Sequence, residues 1–299
     1  MPTGAVLGFC NMLNRLVLHR LINGEQPRLV LAFDAKGPSF RKELFPEYKA
    51  NRAAAPVDLV PQFDLIRQAA AAYGLPIVEK TSFEADDVIA TLARLAHEEG
   101  LDVHILSGDK DLMQLITEPH VFPCIHMIDP MSMSRVAHEQ VFEKWGVHPK
   151  QLGDVLALAG DSADNVPGVP GIGPKTASAL LQEYDTLDNL LDNAANIKQK
   201  MRREKLVEFA DMARLSRALV ALEDDVPGLA KTVGDIPTLR AEPLDVERIE
   251  AFFDEMGFPD LKRRFQNQLK RGAPRKRSQR KTYKKVEIPQ PEDFADVPF

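Results

Sequence analysis

The sequence predicts an α/β fold in which a doubly wound, mostly parallel sheet is followed by a part made only of helices. Three observations predict it. Up to about residue 135, short apolar runs alternate with segments of helical period. Carboxylates follow several of those runs, at the edge where such sheets gather functional side chains. Beyond residue 135, apolar residues recur only at helical spacing.

The pattern divides the chain into an α/β domain over 1–135, a helical domain over 136–270 and a tail over 271–299. The tail is first basic and then acidic, a composition typical of disorder. In chain order the first domain is predicted to contain a helix over 4–22, strands over 28–33 and 75–78, a helix over 60–73, a helix from Glu84, and strands over 103–107 and 121–125.

Composition excludes several classes of protein. The net charge of −6 argues against a generally basic nucleic-acid coat protein, although local basic patches remain. No apolar run is long enough to span a membrane, so no membrane partner is expected. Cys10 and Cys124 lie far apart and match no metal or redox spacing. Residues 1–24 have the basic bias of a transit peptide, but their helical apolar spacing favours an ordinary packed helix.

Acidic residues at strand ends and helix starts form the first functional pattern. Oxygen ligands without His or Cys favour a hard divalent ion, Mg²⁺ or Mn²⁺, and the number of acids suits two ions. A capping box with acids in a first helical turn explains Glu84 taken alone, but not the whole set. The predicted metal ligands are Asp34, Glu84, Asp86, Asp87, Asp109, Asp111, Asp161 and Asp164.

A glycine- and proline-rich loop between two predicted helices forms the second pattern, over 151–184. It has the form of a helix-hairpin-helix, in which backbone N–H groups and a helix N-terminus can hold a DNA phosphate. The spacing is wrong for a Walker A loop, and a plain turn between helices is the alternative. The predicted DNA-binding residues here are Gly168, Gly171, Gly173, Lys175 and Thr176.

Basic and aromatic residues interleave over 35–58, as they do in segments that grip nucleic acid. Arg41 and Tyr48 are predicted to contact DNA, although a solvated loop explains this segment equally well. The basic run over 270–285 is compatible with a nucleic-acid tail, a nuclear address or a solvated linker.

Together these segments resemble the 5′ nuclease (flap endonuclease-like) family, and most closely the 5′–3′ exonuclease domain of bacterial DNA polymerase I. The resemblance runs from Pro2 to about residue 260. It is carried by Phe33-Asp34-Ala35-Lys36-Gly37, Phe40-Arg41, Pro46-Glu47-Tyr48-Lys49-Ala50-Asn51-Arg52, Glu84-Ala85-Asp86-Asp87, Gly108-Asp109-Lys110-Asp111, Gly160-Asp161-Ser162-Ala163-Asp164-Asn165 and the Gly-Pro hairpin.

The resemblance implies a PIN/resolvase-like sheet and an enzyme that hydrolyses DNA at 5′ ends and 5′ flaps with two metal ions. Primer removal in replication, repair, and action on RNA primer–DNA hybrids are further expectations. Lys49 and Arg52 match the basic pair of a helical arch, here 35–58, that contacts the scissile phosphate, so both are expected to be catalytic. The hairpin matches a duplex-binding element that can hold K⁺. A monomer is expected.

One departure from the family bears on the site. Family members begin with a strand that carries an Asp-Gly pair whose Asp binds metal. This chain begins Met1-Pro2-Thr3-Gly4, which matches the family just after that strand. We therefore expect the sheet to lack one strand and the site one ligand, and interpret the sequence as an incomplete chain rather than a short form. A DNA-binding protein with weakened catalysis is the alternative function; a related RNA-cleaving enzyme is a second, against which the hairpin counts.

Overall fold

The computed structural model describes residues 2–272, which form two small sheets surrounded by helices. The strands are β1 (Leu31–Ala32), β2 (Ile77–Val78), β3 (Val103–Leu106), β4 (Ile125–Ile128) and β5 (Arg135–Val136). β1 pairs with β2 in parallel, β3 pairs with β4 in parallel, and β5 adds to β4 in the antiparallel direction. The prediction of a mostly parallel α/β domain followed by helices is confirmed.

Helices connect the strands and then form the whole of the later part. They are α1 (Gly4–Leu13), α2 (His19–Ile22), α3 (Arg41–Leu44), α4 (Val60–Ala72), α5 (Ala85–Glu98), α6 (His138–Trp145), α7 (Leu152–Ala159), α8 (Pro174–Tyr184), α9 (Leu187–Asp192), α10 (Lys200–Glu208), α11 (Ala210–Val220), α12 (Leu229–Val233), α13 (Val246–Met256) and α14 (Pro259–Gly272). A π-type turn, Asn14–Leu18, joins α1 to α2, so the predicted helix over 4–22 is present in three pieces. No helix among residues 2–272 is long and apolar enough to cross a bilayer.

The sheet is divided into two parts by a groove. β1 and β3 lie on either side of a cavity of about 520 Å³, lined by Val30 and Ala32 on one side and by His104 and Leu106 on the other. Within the described residues, neither strand pairs along the edge that faces this cavity. The groove therefore lies where a sheet that lacks an interior strand would be open.

Strand ends differ from the prediction where proline intervenes. The strand expected over 121–125 begins at Ile125, because Pro123 has no N–H to donate to a ladder. The tail predicted over 271–299 lies outside the described residues except for Arg271 and Gly272, which end α14.

The last two helices return to the beginning of the chain. Phe253 of α13 and Phe265 of α14 are fully buried in a core with Val6 and Leu13 of α1 and with Tyr73 after α4. A second core is shared by α7, α8 and α11 with β3 and β4. The segment predicted as one helical domain, 136–270, is thus divided between two cores.

Candidate metal centre

Acidic residues reach one region from three parts of the fold. Asp34 follows β1, Glu84 is the N-cap of α5, and Asp109 and Asp111 follow β3. The carboxyl ends of parallel strands meet at one edge, which is why residues far apart in the sequence converge here. The loop after α7 adds Asp161 and Asp164.

The most compact part of the cluster is formed by Asp111, Asp161 and Asp164. Each has a carboxylate oxygen within 4.8 Å of one from both other residues. Asp111 Oδ1 is buried and accepts no hydrogen bond from the described residues. A buried carboxylate oxygen without a donor is costly unless a cation binds it. The oxygen-only donor set and this unpartnered atom fit a divalent ion such as Mg²⁺ or Mn²⁺.

Two carboxyls in the cluster titrate well above their ordinary range. Burial and, second to it, the negative charge of Asp109 together raise the pKa of Asp86 to about 7. The pKa of Asp111 is raised to about 6, mainly by burial; Lys110 lowers it, whereas Asp109 and Asp161 contribute to the rise. In both cases burial is the largest cause, and the charges of neighbouring carboxylates add to it.

The raised pKa of Asp86 predicts how the metal-free protein responds to pH. With a folded pKa of about 7 and an unfolded value of 3.8, the folded state holds more protons between these values, so stability falls as pH rises through that window. In EDTA at pH 8 we expect Asp86→Asn to raise the free energy of unfolding by about 1–4 kcal/mol, the upper value being the full shift. The gain should shrink towards pH 4. Urea unfolding at both pH values measures it.

Asp64→Asn is the matched control, because Asp64 lies on the exposed surface of α4 and its ion pairs are 4.0 Å long. It should leave the stability of the metal-free protein unchanged at both pH values. A gain for Asp86→Asn that is equal at pH 4 and pH 8 would contradict the electrostatic explanation.

Basic side chains from segment 35–58 lie directly against the acids. Lys49 Nζ is 2.8 Å from Glu84 Oε1 and 3.6 Å from Asp164 Oδ2. The guanidinium of Arg52 contacts Asp164 Oδ1, and its side chain is 53% exposed. These two residues are therefore placed to meet an anion that approaches the acidic cluster from solvent.

The backbone of segment 35–58 is attached to the loop that carries Asp161 and Asp164. The N–H of Lys49 donates to the carbonyl of Asp164 at 2.9 Å. Asn51 Nδ2 donates to the carbonyl of Ser162, and Asn165 Nδ2 donates to the carbonyl of Glu47. Lys49 has a φ of 55°, in the left-handed region that non-glycine residues seldom occupy. The contacts hold Lys49 in this conformation beside the cluster.

The structure contradicts the predicted roles of Asp87 as a metal ligand and of Arg41 as a DNA contact, because these two residues pair with each other. Asp87 is fully buried, and both its oxygens accept from Arg41 at 2.7 Å. They also accept from the backbone N–H groups of Glu84 and Glu223. Asp87 therefore has no oxygen free for a metal. Arg41 is 2% exposed and also donates to the carbonyls of Leu219 and Ala221, so it cannot contact DNA.

Tyr48 also differs from its predicted role as a DNA contact. Its side chain is 4% exposed, and its hydroxyl lies 3.1 Å from Glu84 Oε2 and 3.3 Å from Asp164 Oδ2. Burial raises its pKa, as do the nearby charges of Glu84 and Asp164, so the hydroxyl stays protonated. Tyr48 therefore positions two carboxylates from behind instead of presenting a surface to nucleic acid.

Asp34 and the hairpin lie at the margins of the cluster. Asp34 is exposed, and its Oδ1 accepts from the N–H of Ala85 at 2.8 Å, which places it beside the start of α5. In the loop 160–173, the N–H of Gly168 donates to Ser216 Oγ, and a Cβ there would lie 2.3 Å from the backbone nitrogen of Gly160. The prediction that Gly168 binds DNA is therefore contradicted, because this glycine is required for close packing.

The remaining hairpin residues lie at the exposed start of α8. Gly171, Gly173 and Lys175 are exposed, and Thr176 is half-buried. Their role in DNA binding stays a prediction.

Lys110 is the functional candidate that the motif analysis missed. Its Nζ is 2.6 Å from Asp161 Oδ2 and 3.9 Å from Asp111 Oδ1. The signal was present in the sequence, since Lys110 lies between Asp109 and Asp111 directly after a strand. Its contact with an acid 51 positions away could not be read from that pattern.

Comparison with known proteins shows the family of this chain. Residues 1–146 match the family described as "5'-3' exonuclease, N-terminal resolvase-like domain", and residues 147–245 match "5'-3' exonuclease, C-terminal SAM fold". The chain is 49% identical over 267 residues to DNA polymerase I of Rhizobium leguminosarum, covering 88% of this chain and 25% of that protein. It is 41% identical over 256 residues to DNA polymerase I of Bacillus caldotenax, covering 86% and 28%. The chain thus spans about a quarter of the length of these relatives.

Solved structures share the fold at low sequence identity. The T5 D15 protein co-crystallised with metal ions matches with a TM-score of 0.58 and 22% identity, over 82% of this chain and 85% of that one. The catalytic core of Rad2 in complex with DNA substrate matches with a TM-score of 0.52 and 19% identity, over 89% and 83%. At these identities the likeness concerns the fold alone.

Proposed function

The chain belongs to the 5′–3′ exonuclease family, and from that premise we propose that it hydrolyses DNA phosphodiester bonds at 5′ ends and 5′ flaps with divalent metal ions. The convergence of Asp111, Asp161 and Asp164 around a buried Asp111 oxygen that accepts no hydrogen bond from the described residues carries this proposal. The DNA polymerase I relatives and the DNA-bound Rad2 core support DNA as the class of substrate, and the acidic cluster supports the position of the site.

The candidate metal ligands are Asp34, Glu84, Asp86, Asp109, Asp111, Asp161 and Asp164. When bound, divalent ions at such a cluster activate water and stabilise charge on the reacting phosphate. The oxygen donors favour Mg²⁺ or Mn²⁺, and the extent of the cluster suits two ions. The chain's own contribution is to hold these carboxylates together against their mutual repulsion, by means of Lys49, Lys110 and the Tyr48 hydroxyl.

Lys49 and Arg52 are the residues proposed to meet the scissile phosphate. They sit where an entering phosphate would replace the carboxylates as their partner, and cationic donors placed in advance stabilise charge that develops during the reaction. The exposed N-terminus of α8 is proposed to hold the duplex through its phosphates, which positions DNA without reading sequence. K⁺ at the hairpin, RNA primer–DNA hybrids as substrates, and a monomeric state belong to the same proposal.

Cleavage of a labelled 5′-flap duplex tests the function. Parent protein should release the flap in Mg²⁺ or Mn²⁺ and lose this activity in EDTA. The hairpin predicts a preference for flap DNA over single-stranded RNA, and a comparison of the two substrates distinguishes an RNA-cleaving enzyme.

The groove in the sheet favours one other candidate, a DNA-binding protein with weakened catalysis. Asp34 follows a strand of one sheet, and Asp109 follows a strand of the other, with no ladder between them among residues 2–272. Flap binding that persists while cleavage is absent in both Mg²⁺ and Mn²⁺ would support that candidate and exclude the nuclease.

The proposed role of Lys49 predicts a separation between rate and affinity. We expect Lys49→Ala to lower the single-turnover cleavage rate about 10²–10³-fold, the usual cost of removing one donor to transition-state charge. Flap affinity should fall less than tenfold, because other phosphate contacts supply most of the binding. Single-turnover kinetics and a binding titration in Ca²⁺ measure the two effects.

Lys36→Ala is the control for this variant, since Lys36 lies in the same segment, is 88% exposed and only approaches Asp64 at 4.0 Å. It removes the same charge without touching the cluster. If Lys49→Ala cleaves at the parent rate, Lys49 has no place in the mechanism.

A further inference from the structure

A second group of metal-type ligands lies outside the acidic cluster. Glu118 follows the 3₁₀ turn Asp111–Leu115, His138 is the first residue of α6, and His148 directly precedes the turn Pro149–Gln151 that leads into α7. Three separate segments thus place their side chains at one point. One oxygen or nitrogen from each lies within 4.8 Å of the other two.

The three ligand atoms lie within 3.7 Å of one another. His138 Nε2 lies 2.9 Å from Glu118 Oε2 and 2.8 Å from His148 Nδ1. His148 Nδ1 lies 3.7 Å from the same carboxylate oxygen. The three atoms therefore surround one small volume.

No arrangement of protons satisfies all of these contacts with good hydrogen bonds. If His138 Nε2 carries a proton, that proton can point to Glu118 or to His148, but not well to both. If His148 Nδ1 donates to an unprotonated His138 Nε2, the lone pair of His138 then faces the carboxylate at 2.9 Å. If both rings are protonated at these atoms, two N–H groups face each other at 2.8 Å. A cation at the centre satisfies all three lone pairs.

Within the described part of the chain, few other side chains interact with these three residues. Among residues 2–272, Glu118 forms ion pairs only with the two histidines, and no Lys or Arg neutralises it. His138 is largely buried, with 12% of its side chain exposed, whereas His148 and Glu118 are partly exposed. Phe142 packs against the ring of His148, with ring centroids 5.5 Å apart. The group is thus enclosed by protein at His138 and open to solvent at His148 and Glu118.

We propose that Glu118, His138 and His148 bind one Zn²⁺ ion. Two imidazole nitrogens and one carboxylate oxygen are ligands that suit zinc, and three protein ligands leave a fourth position for water. Zinc–ligand distances of about 2.0–2.2 Å in tetrahedral geometry place ligand atoms about 3.3 Å apart. The observed separations of 2.8, 2.9 and 3.7 Å lie on both sides of that value, so small side-chain rotations suffice.

The position of this ion gives it a structural role. Glu118 lies just after the turn that begins with Asp111, and His148 lies just before α7, whose end is followed by Asp161. The ion would connect these two segments. Zinc would therefore tie together two walls of the acidic cluster from outside it. This inference depends only on the three ligands and stands independently of the proposed nuclease function.

The imidazole rings themselves report the test. Full-length protein with ¹⁵N-labelled histidine is titrated with Zn²⁺ in excess Mg²⁺, so that Mg²⁺ competes at the acidic cluster. We expect the ring nitrogens of His138 and His148 to shift at one equivalent of Zn²⁺, while the other five histidines of the seven do not. His148→Ala should lower zinc affinity at least about 100-fold, since even residues that only support a metal ligand cost 10–100-fold.

His19→Ala is the matched control, because His19 is exposed on α2 and, among residues 2–272, its ring forms a hydrogen bond only with Asn23. It should bind zinc like the parent, and Glu118→Gln should weaken binding as His148→Ala does. Thermal unfolding checks that each variant is folded. Rings of His138 and His148 that stay unshifted at equimolar Zn²⁺, or an affinity unchanged in folded His148→Ala, overturn the proposal.

Discussion

Asp111→Asn is expected to lower flap cleavage about 10³-fold while the protein keeps its fold. The substitution preserves the shape of the side chain but removes the charge of the carboxyl whose Oδ1 is buried without a donor. A metal ion contributes several kcal/mol to transition-state stabilisation, and each 1.36 kcal/mol changes the rate tenfold. Single-turnover cleavage in Mg²⁺ and in Mn²⁺ measures the loss.

The same substitution should not destabilise the metal-free protein. Burial raises the pKa of Asp111 to about 6, so its ionised form is unfavourable in the folded state at neutral pH. Thermal unfolding in EDTA therefore separates lost chemistry from lost structure, and Asp64→Asn serves as the exposed control. Parent-level cleavage by folded Asp111→Asn in both metals would remove this residue from the site.

Arg41→Ala is expected to have the largest effect on stability. It would leave the fully buried Asp87 carboxylate without the two guanidinium donors, each 2.7 Å away. Although burial opposes its charge, the hydrogen bonds and the charge of Asp87 raise the pKa of Arg41, so the guanidinium stays charged in the folded protein. Breaking a buried pair by removing one partner costs about 3–5 kcal/mol. Denaturant unfolding measures this loss.

Lys42→Ala is the neighbouring control, because Lys42 is only half-buried and lies on the same helical turn. It should change stability by less than about 0.5 kcal/mol, as most surface substitutions do. Adding Asp87→Asn to Arg41→Met should recover part of the loss, because no unpaired charge then remains buried. If Arg41→Ala is as stable as Lys42→Ala, the buried pair does not hold α3 against α5 and the end of α11.

Strand ends and helix starts carried the part of the site that sequence could predict. Asp34, Glu84, Asp109 and Asp111 follow from the rule that parallel strands end at one edge, and that rule needs only the order of elements. The α/β class was predicted from the alternation of short apolar runs with segments of helical period. The arrival of Asp161 at Asp111 depends on how α7 packs, which periodicity does not specify.

The residues whose roles were predicted wrongly are buried in the structure, and their burial could not be predicted from the sequence motifs. Asp87 lies one position from Asp86, yet it turns inward to Arg41 while Asp86 remains in the acidic cluster. Neighbouring residues on a helix point about 100° apart, so one faces the core when the other does not. Tyr48 and Gly168 were likewise placed on the surface by their motifs but are buried by packing.

The groove between β1 and β3 makes ion binding and cohesion of the sheets a single linked equilibrium. In β1 the amides of Leu31 and Phe33 donate to the β2 segment, so those of Val30 and Ala32 point the other way, towards the groove. In the part of the chain that the structure describes, no strand pairing connects the sheet before Asp34 to the sheet before Asp109. A cation that bound carboxylates from both sheets would therefore also hold the two sheets together.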